Sequence, residues 1–142
     1  MAKTLHVDIV SAEGEIFRGD AAMVFAPAQM GELGIAPNHA PLLTGLRPGG
    51  VRVQTTEGEE LFFYVSGGII EIQPKNVTVL ADTALRAKDL DEAAAAQARR
   101  RAEELLENRE SAKDIATAQA ELAQAAAQLA LLEKIKKNAG QR

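Results

Sequence analysis

Proline punctuates the first half of this chain and is missing from the second. All five prolines fall at or before Pro74. Near residue 85 a Val/Ile/Gly-rich stretch gives way to one in which alanine makes up roughly a third of positions. Proline breaks helix interiors and alanine is the best helix former, so the two halves must fold differently. Charge divides at the same place. Residues 1–84 carry five Lys/Arg and ten Asp/Glu, a net of −5, whereas residues 85–142 carry eleven and ten, a net of +1. A boundary is expected at residues 84–89, giving units 1–86 and 87–142.

The first half reads as short strands. In "LHVDI", Leu5, Val7 and Ile9 alternate with His6 and Asp8, the period-2 pattern of a half-buried strand. "GVRVQTT" repeats it with Val51 and Val53, and "TEGEE" around Gly58 reads as a hairpin turn. "ELFFYVSGGIIEIQPKNVTVLA" adds three strands, broken at Gly67-Gly68 and at Pro74-Lys75-Asn76. Many short strands with frequent turns predict a β-sandwich or flattened barrel. "LFFYV" and "GII" are apolar on both faces, so those strands are either central or covered by a partner.

The second half reads as an antiparallel two-helix hairpin. Asp89 is the expected N-cap of the first helix, with Glu92 three residues on. Leu90, Ala94, Ala98, Ala102 and Leu105 follow at helical spacing. Ser111 and Asp114 are expected to cap a second helix, whose stripe is Ile115, Ala118, Leu122, Ala125, Leu129 and Leu132, with Gly140 just past its end. The 3-4-3-4-3 spacing is a coiled-coil seam. Alanine seams allow close approach but bury little apolar area, so this pair should keep helical shape while docking weakly.

Composition excludes several classes of function. The chain has no cysteine, which rules out disulfides and thiolate metal sites. No apolar run reaches the roughly 20 residues of a membrane span, and no signal-peptide core opens the chain, so a soluble cytoplasmic protein without direct membrane insertion is expected. The net charge of −4 and scarce aromatics argue against nucleic-acid binding. There is no G-x-S-x-G, no Walker A and no G-x-G-x-x-G motif. No metal, cofactor or intrinsic catalysis is expected.

Glu32 and His39 lie in "GELGIAPNHAP", where Gly31 and Gly34 loosen the backbone and Pro37 and Pro41 stiffen it. The residues support two readings: a tight corner with Glu32 in solvent and His39 on the proline rings, or a rigid corner that displays both to a protein partner.

"GELGIAPNHAPLLTGLRPGGVRV", "YVSGGIIEIQPKNVTVLADTALRAKDLDEA" and the Ala-rich hairpin ending "LLEKIKK" closely resemble the epsilon subunit of bacterial F-type ATP synthase over essentially the whole chain. The resemblance implies a ten-stranded sandwich, a C-terminal two-helix hairpin and a non-catalytic central-stalk role coupling the proton-driven rotor to ATP synthesis. It implies that one side of the sandwich binds the γ subunit and that its lower end meets the ring of c subunits. That places the chain peripherally on the cytoplasmic face of the bacterial inner membrane. It assigns ring docking to Glu32 and His39.

By the same resemblance the hairpin is a regulatory arm that extends between γ and the catalytic α/β subunits. Arg99, Arg100, Arg101, Lys134, Lys136 and Lys137 are the candidate contacts to an acidic loop. Ordinary roles compete: Arg99–Glu103 and Arg100–Glu104 are i,i+4 pairs, and last-turn lysines suit the helix dipole. Some family members bind ATP through Ile/Leu-Asp-x-x-Arg-Ala and two second-helix arginines. This chain has Asp91 but Ala94 at the motif arginine, and Ala126 and Ala130 at the other two, so ATP binding is not expected. A free-standing nucleotide-sensing clamp and an unrelated coiled-coil adaptor are the alternative classes.

Overall fold

A computed structural model describes residues 3–108 and 112–140. The chain divides into two compact units, Met1–Arg86 and Ala87–Arg142.

The first unit holds ten strands: β1 (Leu5–Ser11), β2 (Gly14–Ala21), β3 (Met23–Ala28), β4 (Gly31–Ile35), β5 (Leu42–Leu46), β6 (Gly49–Gln54), β7 (Glu60–Val65), β8 (Gly68–Ile72), β9 (Asn76–Ala81) and β10 (Ala84–Arg86). They pair in the order β10-β7-β6-β3-β5-β8-β9-β1-β2, with β4 attached to β3. All pairings are antiparallel except β1 with β9.

The two ends of that order come together. Arg86 Nη2 donates to the Ile16 carbonyl at 3.1 Å, and the Phe17 and Phe63 rings stand 5.2 Å apart. One continuous core fills the space between the layers, with Leu5, Val7, Ile9, Val24, Ile35, Val51, Val53, Ile70, Ile72, Val77 and Val79 fully buried. β-Branched side chains suit the pleated inner face. The alternation read in "LHVDI" and "GVRVQ" is therefore the inside–outside alternation of β1 and β6.

Gly68 is required by its surroundings. Its φ is +135°, and an added Cβ would stand 2.2 Å from the Leu80 carbonyl oxygen. At this point β8 swings in beside β9 with no room for a side chain.

In the second unit a short 3-10 turn, Ala87–Asp89, precedes α1 (Glu92–Asn108) and α2 (Ala112–Gly140). Several expectations are corrected here. The N-cap is Asp91 rather than Asp89: its Oδ1 accepts from the Ala93 and Ala94 N–H groups at 3.0 and 3.2 Å. Asp89 is used up in the preceding turn, which the Leu90 N–H closes onto Ala87 at 3.1 Å. Helix α1 consequently starts later, and its covered face is Ala95, Ala98, Ala102 and Leu106. Ala94 and Leu105 are exposed and Leu90 precedes the helix. With alanine all round, several helical stripes are equally plausible, and only the partner helix selects one.

In α2 the seam holds through Ile115, Ala118, Leu122 and Ala125. Beyond Ala125 the covered face broadens: Ala126, Ala127, Gln128 and Leu129 are all half-buried, and Leu131 is more buried than Leu132. Gly140 is the last residue of α2 rather than the one after it. Ser111 and the side chain of Asp114 lie outside the described residues.

Candidate docking surfaces and regulatory arm

Glu32 lies near the tip of the β3–β4 hairpin, exposed, and paired in register with Pro27. The tip places Met30 in solvent at 97% exposure. His39 lies beyond the other end of β4, in a turn closed by its own N–H on Ala36 at 3.2 Å. Its Nδ1–H donates to the Ala40 carbonyl at 2.7 Å. Asn38, with φ +67°, ties that turn to the Pro74 carbonyl at 2.7 Å. From Glu32 to Ile35 alone, the strand covers about 10 Å at roughly 3.3 Å per residue. Glu32 thus lies on β4 and His39 in the turn that follows it. The glycines and prolines between them shape a strand followed by a separate turn.

The sheet's outer surface differs from one side to the other. On β3, β6 and β7 its side chains are half-buried: Arg52 lies 3.9 Å over the Phe25 ring and pairs with Glu60 at 2.9 Å. Tyr64 is buried, outside the core cluster. On β1, β9 and β8 the register aligns Val10 with Leu80 and Leu80 with Ile69, and Ile69 in turn faces Gly45 of β5. Leu80 and Ile69 are 50% and 47% exposed, and Leu43, on the same face as Gly45, is 68% exposed. The Gln29 side chain lies against Gly45 and leads to Met30 at the hairpin tip. β8 is an interior strand, yet Ile69 is open to solvent, so central position does not account for the doubly apolar "GII". Met30, Leu43 and Leu80 were not singled out from the sequence. The available signal was a methionine in a tight turn, a position that favours polar residues.

A charged cluster flanks this surface. Arg18 Nε donates to Asp8 at 2.9 Å and reaches Glu15 at 3.6 Å, and both His6 nitrogens lie 3.4 Å from a carboxylate, Asp8 or Asp20. The hydrogen bond that Arg18 donates to Asp8, then the Glu15 and Asp8 charges, raise the Arg18 guanidinium above its usual value. A raised basic group contributes below its unfolded value and is lost only as pH climbs through the raised one, so Arg18 stays charged throughout the neutral range.

On the hairpin, Arg99, Arg100, Arg101, Lys134, Lys136 and Lys137 are all exposed. Arg99 pairs with Glu103 at 3.1 Å, the local alternative named above. Lys136 reaches across the hairpin to Glu92 at 2.7 Å. The Asp91 carboxylate occupies the first-turn N–H groups that an anion would use. Ala94 and Ala130 are exposed and Ala126 is half-buried; none offers a side-chain donor.

Family comparison agrees along nearly the full length. Residues 4–87 match the family model described as ATP synthase, Delta/Epsilon chain, beta-sandwich domain, and residues 88–133 match the long alpha-helix domain of the same chain. The chain belongs to the ATP synthase epsilon-chain family. It is 63% identical over 140 residues to the ATP synthase epsilon chain of Nitrosococcus oceani, covering 99% of this chain and 100% of that one. It is 65% identical over 136 residues to that of Alkalilimnicola ehrlichii, covering 96% and 97%. A chain in the cryo-EM structure of the Euglena gracilis mitochondrial ATP synthase (OSCP/F1/c-ring, rotational state 1) shares the fold, with TM-score 0.74 at 18% identity over 95% of this chain and 81% of that chain. The protein is a non-catalytic stalk subunit of the ATP synthase complex. No helix among the described residues is long and apolar enough to cross a membrane.

Proposed function

We propose that this subunit couples the c-ring to γ during ATP synthesis and restrains ATP hydrolysis through its helical hairpin, on the cytoplasmic face of the inner membrane. The observation that carries the coupling role is the open apolar row Val10–Leu80–Ile69 on interior strands. γ docks there, because Leu80 and Ile69 are open to solvent whereas Phe25 on the opposite surface is capped by Arg52. The β3–β4 tip, with Met30 and Glu32, meets the ring's arginine-bearing loops, where a carboxylate gives complementary charge. His39, in the turn that follows β4, is the second proposed contact to the ring. The exposed basic residues Arg99, Arg100, Arg101, Lys134, Lys136 and Lys137 meet the catalytic subunits when the arm extends.

Co-purification of the assembled complex tests the docking face. Each leucine or isoleucine fully buried is worth about 1.5–3 kcal/mol, so two half-exposed ones lost together cost roughly 1.5–3 kcal/mol, about 10- to 100-fold in affinity. Ile69→Asp with Leu80→Asp should release the subunit from γ with its sandwich intact. Retention at wild-type level would refute this face. Truncation after Lys88 should leave a folded sandwich that still joins γ and should relieve inhibition of hydrolysis.

A further inference from the structure

The hairpin lays an acidic start beside a lysine-rich end. α1 opens at Glu92 behind Asp91, and α2 closes through Lys134, Lys136 and Lys137. Glu92 and Lys136, 44 positions apart, meet Oε2 to Nζ at 2.7 Å. Among the described residues, Lys134 and Lys137 make no ion pair. Each partner also sits favourably on its own helix, the acid at an N-terminus and the base near a C-terminus. The pair therefore joins two charges that remain well placed when the helices part.

The rest of the seam makes this contact count. Ala95, Ala102, Ala118 and Ala125 are buried but small, and among the described residues Leu131 is the one large side chain buried to a similar degree. Alanine-rich helices keep their shape when separated. Closed and open hairpins then differ little in free energy, and a cross-link at the free ends shifts their ratio.

We propose that Glu92 is a built-in competitor for Lys136: it latches the hairpin shut, and an acidic segment of a partner subunit engages Lys136 only by displacing it. The displacement step rests on the arm reading above; the latch does not. An ammonium has three donors, but a second carboxylate on Nζ would face Glu92 at close range, and like charges so placed repel. Among the described residues Lys134 and Lys137 are without an ion pair in the closed hairpin, whereas the Lys136 charge is engaged by Glu92 until the arm opens.

The chain lacks cysteine, so cysteines introduced at the exposed positions Gln97 and Ala130 take spin labels uniquely. Distances are measured in the full chain by pulsed electron paramagnetic resonance. Glu92→Gln and Lys136→Gln should each raise the open-to-closed ratio about two- to fivefold, the size expected of an exposed pair. The double variant should match either single one, 0.5 M salt should bring the wild type to the same ratio, and Lys137→Gln should change nothing. Additive effects, an unmoved ratio in Glu92→Gln, or an equal effect from Lys137→Gln would overturn the latch. In the assembled synthase, Glu92→Gln should deepen inhibition of hydrolysis and Lys136→Gln should not. Shifted distances with unchanged inhibition would keep the latch and overturn the displacement step.

Discussion

The sandwich and the hairpin solve the same packing problem with opposite materials. Valine and isoleucine fill the sandwich, and nearly all of them on its inner face are fully dry. Alanine fills the hairpin seam. Leu/Ile→Ala in a core typically costs 2–5 kcal/mol, whereas an interior Ala→Gly costs about 1 kcal/mol, mostly through helix propensity. The difference teaches where motion is permitted. In the proposed coupling role the sandwich must resist deformation, and a close-packed β-branched interior does so. In the proposed regulatory role the arm must hold its secondary structure and release its tertiary contacts, and an alanine seam provides both.

That contrast breaks first if a ligand holds the hairpin together. By the family resemblance Ala94, Ala126 and Ala130 stand at the three arginine positions of an ATP site, where each guanidinium–phosphate contact would be worth about 1.5–3 kcal/mol. Calorimetric titration with Mg-ATP should show no binding in the micromolar range; a micromolar dissociation constant would restore the nucleotide-clamp alternative. Next in size is Gly68→Ala. It combines an unfavourable backbone conformation with a clash against the Leu80 carbonyl, and should cost about 3 kcal/mol or more in urea unfolding of the sandwich. An unmoved midpoint would mean that β8 is not held as described.

Ala118→Gly, in the buried seam of α2, should lower hairpin stability by about 1 kcal/mol and leave the sandwich transition where it was. Hydrogen exchange reads both units in one experiment. Parallel loss of protection in β-strand amides would show that the units unfold together. The smallest expected effect is at Glu32. Glu32→Ala should weaken ring coupling only slightly, since exposed pairs contribute about 0.2–1 kcal/mol, and Glu32→Lys should weaken it more through repulsion. Proton-coupled ATP synthesis at the wild-type rate with lysine there would remove Glu32 from the docking surface.

Much of the fold was legible from local pattern. Period-2 alternation located β1 and β6, and Gly58 and Gly67-Gly68 marked turns that the structure contains. The loss of proline and the rise of alanine separated strands from helices. The helix start was misplaced by two residues, because Asp89 and Asp91 are equally good caps and only the 3-10 turn at Ala87–Asp89 chooses between them. The covered stripe of α1 was misread for a related reason: Ala94 and Ala95 are chemically identical, so burial of one and not the other depends on where α2 lies.

The candidate sites divide in the same way. Residue type and spacing singled out Glu32 and His39, because those are properties of the chain read in order, and the family resemblance added the basic residues of the arm. Strand registry then set Glu32 beside Pro27 at the β3–β4 hairpin and brought Val10, Leu80 and Ile69, from three strands, into one open row. It was the antiparallel return of α2 that set Lys136 against Glu92. Local sequence determines which short segments are strand, turn or helix, since those preferences act over a few residues. A surface or a cross-link made by residues tens of positions apart exists only after the chain has closed on itself, and only the tertiary structure could decide it.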